Sequence, residues 1–171
     1  RWTDDSKTTF LSGGKARLLL KTQHLDHSHI DLELRGVPAS AVKTFYTEFR
    51  GLNSREMQAA LMNACPAGKS WVEWAVADVA GPCDVLISYS WDLNWEYLIA
   101  YIEATFDPQV RFWVDILACG QHAIAGGDMA EIEQLPEVAN FAGRTLVMPG
   151  AVKRLWCCYE FAWTIEVGGG G

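Results

Sequence analysis

Hydrophobic and polar residues follow two different patterns along this chain, and the pattern changes near residue 81. In the first part, Ile30, Leu32 and Leu34 alternate with charged residues, which is typical of a half-buried strand. Further on, apolar residues recur at the spacing of helices that bury one face. The predicted elements are a hairpin of strands 16–21 and 30–35, a helix between Pro38 and Gly51, a helix between Asn53 and Pro66 that Asn53 or Ser54 caps, and a strand over residues 71–76. We interpret residues 1–80 as an N-terminal α+β extension.

From residue 81 onwards, short continuous apolar runs alternate with helical patterns, as in the βαβ units that build a parallel sheet. The predicted elements are strands over residues 85–89, 110–117 and 145–148, a helix capped by Asp92 or Asn94 that ends at Asp107, a glycine-rich loop over 119–127, a helix around 129–139, and a buried helix over 152–166. The predicted fold is a flavodoxin-like, three-layer α/β domain with a parallel sheet over residues 81–167. A glycine linker at 168–171 would join it to further parts of a longer protein.

The carboxyl ends of the predicted strands indicate where a ligand would bind. Right-handed crossovers place these ends on one edge of a parallel sheet, and ligands collect there near the point where the strand order reverses. We therefore expect the loops 90–94, 119–127 and 149–153 to converge. Four residues at the end of the first strand are candidate contacts for a phosphate, a ribose or a ring. They are Ser88, Ser90, Trp91 and Asp92.

Composition and charge restrict the classes of function. Half of the 171 residues are hydrophobic and eight are Trp, so the chain has ample apolar surface to bury. A formal net charge of −7 argues against general binding to nucleic acid or to an anionic membrane. Five cysteines without a CxxC spacing favour reduced thiols and a cytoplasmic protein. No metal or cofactor is predicted, because the histidines at 24, 27 and 29 lack further ligands at a known spacing.

Three short segments carry a resemblance to a known family. Residues 84–89 read Asp-Val-Leu-Ile-Ser-Tyr, residues 112–115 read Phe-Trp-Val-Asp, and residues 156–160 read Trp-Cys-Cys-Tyr-Glu. In this order and spacing they resemble the Toll/interleukin-1 receptor (TIR) domain family, with wording closest to plant-type and algal or protist TIR-like domains. The resemblance covers residues 83–166. The family normally continues with two more strands and a helix, so either the sheet is truncated on its C-terminal side or the first 80 residues supply the missing cover.

The resemblance implies a signalling or defence function in innate immunity, with NAD as the substrate. Some TIR domains cleave NAD between nicotinamide and ribose, and Glu160 matches their catalytic glutamate. One carboxylate suffices in principle, because nicotinamide leaves as a neutral molecule and needs no general acid. Trp156 lies one helical turn from Glu160 and Asp115 ends the second strand, so both are further candidate substrate contacts. Alternatively, Trp156 is a core residue and Glu160 forms a salt bridge with a neighbouring basic side chain.

The segment that resembles the family's BB loop supports a different class of function. It contains the candidate interaction residues Cys119, Gly120, His122, Gly126 and Gly127. Many TIR domains act as adaptors that associate through this loop, either as homo-oligomers or with other TIR domains, without turning over a substrate. A third alternative on the same fold is a nucleoside-processing enzyme such as a deoxyribosyltransferase.

Overall fold

Four short strands form the sheet around which the chain is organised. A computed structural model describes residues 29–151, and the predicted strand 16–21, helix 152–166 and linker lie outside these residues. A 3-10 helix spans Leu32–Leu34, and the strands are β1 (Val37–Pro38), β2 (Val85–Ser88), β3 (Arg111–Trp113) and β4 (Thr145–Val147). The helices are α1 (Ala39–Glu48), α2 (Ser54–Ala64), α3 (Trp71–Ala75), α4 (Trp95–Thr105), α5 (Asp115–Ala118), α6 (Gln121–Ala125), α7 (Ala130–Glu133) and α8 (Leu135–Ala142).

The sheet has the order β1-β3-β2-β4 and is mostly parallel. Strand β2 pairs in parallel with β3 through Val85 and Phe112, and with β4 through Ile87 and Leu146. Strand β1 pairs antiparallel with β3 and forms an edge of the sheet. Pro38 is tolerated there because proline has no N–H that would need a partner. The order of the three parallel strands is compatible with the predicted flavodoxin-like α/β fold.

Successive residues of β2 belong alternately to two hydrophobic clusters. Val85 and Ile87 of β2 belong to one cluster, which also contains Phe45 of α1 and Trp71 of α3. Leu86 belongs to the other, together with buried residues of α8. All four residues of β2 are buried, as expected for a central strand that helices cover on both faces. The first cluster takes residues from both sides of position 80, so the described part of the extension shares a core with the sheet.

Side-chain caps mark the first residues of α2 and α4. The Asn53 side chain accepts hydrogen bonds from two amides at the start of α2, and Glu56 completes a capping box. The Asn94 side chain accepts from the amide of Tyr97 at the start of α4. The observed elements confirm the predicted helices at α1, α2 and α4 and the predicted strands at β2 and β4.

Two strands predicted in the extension are wrong. In place of the strand predicted over 71–76, residues 71–75 form the helix α3, because Ser70 and Glu73 build a capping box at its start. Residues 30–35 alternate between buried and less buried side chains as predicted, but they include the 3-10 helix and form no ladder in the described part of the chain. Arg35, at the end of this segment, is buried, and its Nε donates to the Ile30 carbonyl at 2.8 Å, which brings the two ends of the segment together in a compact turn.

Three predictions in the second half need correction as well. The strand predicted over 110–117 ends at Trp113, since the chain turns into α5 at Asp115. The loop predicted over 119–127 contains the short helix α6. The single helix predicted around 129–139 is two helices, because Gln134 breaks the pattern and Pro136, near the start of α8, has no N–H to continue a preceding helix.

Candidate ligand pocket at the sheet edge

The chain leaves the central strand at the point where the strand order reverses. Strand β2 is followed by Tyr89, Ser90 and Trp91, with β3 on one side and β4 on the other. Gly150, in the turn after β4, has a φ of 88°, and a Cβ added there would lie 3.1 Å from the Ser90 Oγ. The turn after β4 therefore packs directly on the residues that follow β2, as the predicted convergence of loops requires.

A pocket of about 180 Å³ opens beside these residues. Its lining comes from the segment that follows β2, from α2, α5 and α6, and from α7 with the residue before it. The lining residues are Gln58, Tyr89, Trp91, Asp115, Ile116, Gln121, Ile124, Met129 and Ile132. Within residues 29–151, Asp115 is the one charged residue of this lining, so the pocket suits a flat ring that is neutral or positively charged.

Trp91 forms an aromatic wall that a second helix holds in place. The guanidinium carbon of Arg55, on α2, lies 5.2 Å from the centroid of the Trp91 ring, which is a cation–π contact. Trp91 is half-buried, and Tyr89 beside it is buried and meets Trp95 edge-to-face with ring centroids 5.5 Å apart. Trp91 thus packs against α2, and its neighbour Tyr89 packs against α4.

Asp115 and two glutamines supply the polar groups of the pocket. The Asp115 Oδ1 accepts a hydrogen bond of 2.6 Å from the Ile116 amide, which sets the carboxylate at the start of α5. Gln121 donates its side-chain amide to the carbonyls of Asp115, Ile116 and Cys119 at 3.2, 3.4 and 3.1 Å. The Gln58 amide donates to the Gln121 Oε1 at 2.9 Å. This pair ties α2 to α6 across one wall of the pocket.

The structure brings two of the described candidate substrate contacts into the pocket, Trp91 and Asp115. Ser88 is buried at the end of β2, Ser90 packs on Gly150, and Asp92 is exposed; none of these three is among the lining residues. The candidates Trp156 and Glu160 lie outside the described residues.

The predicted interaction loop is packed at its start and exposed at its end. Cys119 and Gly120 are buried, and the Gly120 amide donates to the Glu131 Oε2 at 2.6 Å. The His122 Nε2 lies 3.1 Å from the carbonyl oxygen of Cys65. Gly126 ends α6 and Gly127 has a φ of 87°, and both are exposed. Any contact with a partner through this segment would therefore use its second half.

A buried arginine, Arg35, links the helices that line the pocket. Arg35 is 2% exposed and donates to the Ile30 carbonyl at 2.8 Å and to the Ala118 carbonyl at 2.6 Å. Its guanidinium also forms ion pairs with Glu73 at 3.1 Å and with Glu131 at 2.6 Å. Since Glu131 also holds the Gly120 amide, this network joins α5, α7 and the start of α6, which carry most of the pocket lining.

The pocket residues Gln58 and Gln121 were missed from the sequence. Gln58 lies on α2 next to Met57, in a helical pattern that predicts only which face is buried, and Gln121 lies in a segment predicted as a loop. Nothing in either local pattern brings the two together, because 63 residues separate them.

Comparison with protein-family models, with curated protein sequences and with solved structures finds no match for this chain. Among residues 29–151 there is no group of three or more His, Cys, Asp or Glu side chains placed to hold a metal ion. Within the same residues, no helix is both long and apolar enough to cross a membrane.

Proposed function

We propose that this chain carries a TIR-like domain that binds NAD at the sheet-edge pocket and hydrolyses the bond between nicotinamide and ribose. The observation that supports it best is the position and character of the pocket. It lies where the strand order reverses and has an aromatic wall, and its described lining residues include one carboxylate and no basic side chain. A cationic nicotinamide ring meets these conditions better than a phosphate does.

The volume of the pocket suits one ring of the dinucleotide. A cavity of about 150 Å³ with an apolar lining holds a benzene molecule, and this pocket measures about 180 Å³. The two phosphates and the second nucleoside would therefore remain outside it. An apolar site with few charges favours departure of nicotinamide as a neutral molecule, because the positive charge of the ring is lost in that step.

Glu160 is the proposed catalytic carboxylate, on the basis of the resemblance in residues 156–160. Its role would be to hold the ribose hydroxyls and to stabilise the positive charge that develops on the sugar. Trp91 and Asp115 would position the ring.

Release of nicotinamide from NAD by the purified chain, measured by liquid chromatography over a range of protein concentrations, tests this proposal. Glu160→Gln is expected to lower the rate about 100-fold or more, as loss of one stabilising group at a reacting centre does. Trp91→Leu is expected to raise KM, while Glu137→Gln, an exposed carboxylate on α8, serves as the matched control and should keep the parent rate. Absence of nicotinamide release at every protein concentration would refute the enzymatic proposal.

A second candidate function is the non-catalytic adaptor, and exposed aromatic residues on α4 favour it. Tyr97 is 54% exposed and Tyr101 is 38% exposed, and their rings stack with centroids 6.4 Å apart. Tyrosines are enriched in protein interfaces. Light scattering should then show that the parent self-associates and that the Tyr97→Ser/Tyr101→Ser variant is a monomer. Equal masses for the two proteins would argue against this surface.

A further inference from the structure

We infer that Gln58 determines which ring enters the pocket. The ring it selects is a planar, neutral or cationic heteroaromatic ring with an N–H donor next to an acceptor, as in the carboxamide of nicotinamide or the amino edge of adenine. This inference rests on the proposed function in taking NAD as the source of the ring. Gln58 belongs to α2, which lies outside the region that resembles TIR domains.

The orientation of the two side-chain amides carries the argument. The Gln121 nitrogen donates to three backbone carbonyls around α5, so its oxygen must face Gln58. Gln58 therefore presents its nitrogen to Gln121, at 2.9 Å. Reversing the Gln58 amide would place two oxygens together, and reversing the Gln121 amide would place two nitrogens together and leave the three carbonyls without their donor.

This arrangement leaves one N–H and the oxygen of the Gln58 amide available to a ligand. A side-chain amide has one oxygen and two N–H groups, and the contact with Gln121 uses one N–H. Within residues 29–151, the remaining N–H and the oxygen make no protein hydrogen bond, and Gln58 lines the pocket. One donor and one acceptor in a common plane match a carboxamide or an amino-pyrimidine edge, which present the complementary pair.

Size and charge further define the ring. A pocket of about 180 Å³ admits a single ring system, and its apolar residues Ile124, Met129 and Ile132 provide flat contact rather than hydrogen bonds. Among the lining residues that belong to the described part of the chain, Asp115 carries a negative charge and the others are uncharged. An anionic ring such as nicotinic acid would be repelled by Asp115 and would offer Gln58 no N–H donor.

A purely structural role for Gln58 makes a different prediction. If the side chain only ties α2 to α6, its removal lowers the free energy of unfolding but changes the affinity for all rings alike. Selection of a ring requires that the ratio of affinities between matched rings depends on Gln58. The test therefore measures that ratio.

Dissociation constants of four small ligands, measured by NMR titration of the full chain, supply the ratios. Nicotinamide is paired with nicotinic acid, and adenosine is paired with purine riboside, which lacks the amino group. The parent should bind the first member of at least one pair about tenfold more tightly, as expected for a neutral hydrogen-bonded pair in a half-open site. The pair that shows the preference identifies which ring of the dinucleotide the pocket holds.

Gln58→Leu and Gln58→Met should both reduce the preference for the amide or amino ring to about threefold or less. Asn63→Leu, which removes an exposed amide from the same helix, should leave it unchanged. Unfolding curves of each variant verify that the fold is kept. An unchanged affinity ratio in the folded Gln58 variants, or a parent chain that binds neither ring, would overturn the inference.

The outcome also separates this inference from the proposed hydrolysis. A chain that discriminates between the rings through Gln58 but releases no nicotinamide from NAD would refute the hydrolysis alone. A chain that hydrolyses NAD with the same KM and kcat before and after Gln58→Met would refute the role of Gln58 alone.

Discussion

Replacement of Arg35 by Met should destabilise the protein more than any exposed charge change in the described part of the chain. The guanidinium is 2% exposed and serves four acceptors: two carbonyl oxygens and the carboxylates of Glu73 and Glu131. Glu73 is equally buried, at 2%. Methionine fills a similar volume, so the loss is mainly electrostatic, and Glu73 is left as a buried charge without its partner.

Breaking a buried ion pair from one side costs about 3–5 kcal/mol, whereas whole domains are stable by about 5–15 kcal/mol. We therefore expect Arg35→Met to lower the free energy of unfolding by about 4 kcal/mol. Urea unfolding followed by circular dichroism measures it. The matched control is Arg50→Met, because Arg50 pairs with Glu96 at 2.9 Å but the two side chains are 70% and 58% exposed. Solvent screening should make that change small.

The double variant Arg35→Met/Glu73→Gln sharpens the test. Removing the second charge should recover part of the loss, because the uncompensated buried carboxylate is then gone. The explanation is refuted if Arg35→Met is no more destabilising than Arg50→Met, or if the double variant is less stable than Arg35→Met by the full cost of Glu73→Gln alone.

Two further predictions concern the same region. Burial raises the pKa of Glu73, but hydrogen bonds from Ser70 and from the Ile30 amide, with the charge of Arg35, outweigh it and hold this pKa below its ordinary value of 4.5. Ionised Glu73 should thus stabilise the fold above pH 4.5, and this contribution should be lost as the pH falls through the lowered pKa of the folded state. In acid unfolding, the stability of Glu73→Gln should therefore depend less steeply on pH than that of the parent. Parallel curves for the two proteins would contradict this. Gly36→Ala would place a Cβ 2.7 Å from the Cys83 Cα. Thermal unfolding should show a free energy of unfolding that is lower by about 1–3 kcal/mol. An unchanged midpoint would mean that the backbone moves freely there.

The central sheet could be predicted because its signals are local. Strand β2 is a continuous apolar run buried on both faces, and Asn94 caps the helix that follows it. The strand predicted over residues 71–76 is wrong because Ser70 and Glu73 stand at the spacing of a capping box, a local signal that correctly indicates α3.

The pocket could be predicted only in part. Trp91 and Asp115 follow strands, so the topology alone places them at the ligand-binding edge. Gln58 reaches the same pocket from a helix of the extension, through tertiary packing that leaves no mark on the local pattern. Arg35 was missed for a similar reason: arginine is almost never fully buried unless paired, and its partners lie 38 and 96 residues away.

The pairing of β1 with β3 has a consequence for synthesis of the chain on the ribosome. Val37 and its neighbours in α1 reach the polypeptide exit first, but their partner Phe112 is added 75 residues later. At about 5–20 residues per second, the apolar face that includes Phe45 waits several seconds for its cover. During that interval the nascent chain exposes this apolar surface to solvent, so the order of synthesis delays burial of the core until the second half of the sheet is made.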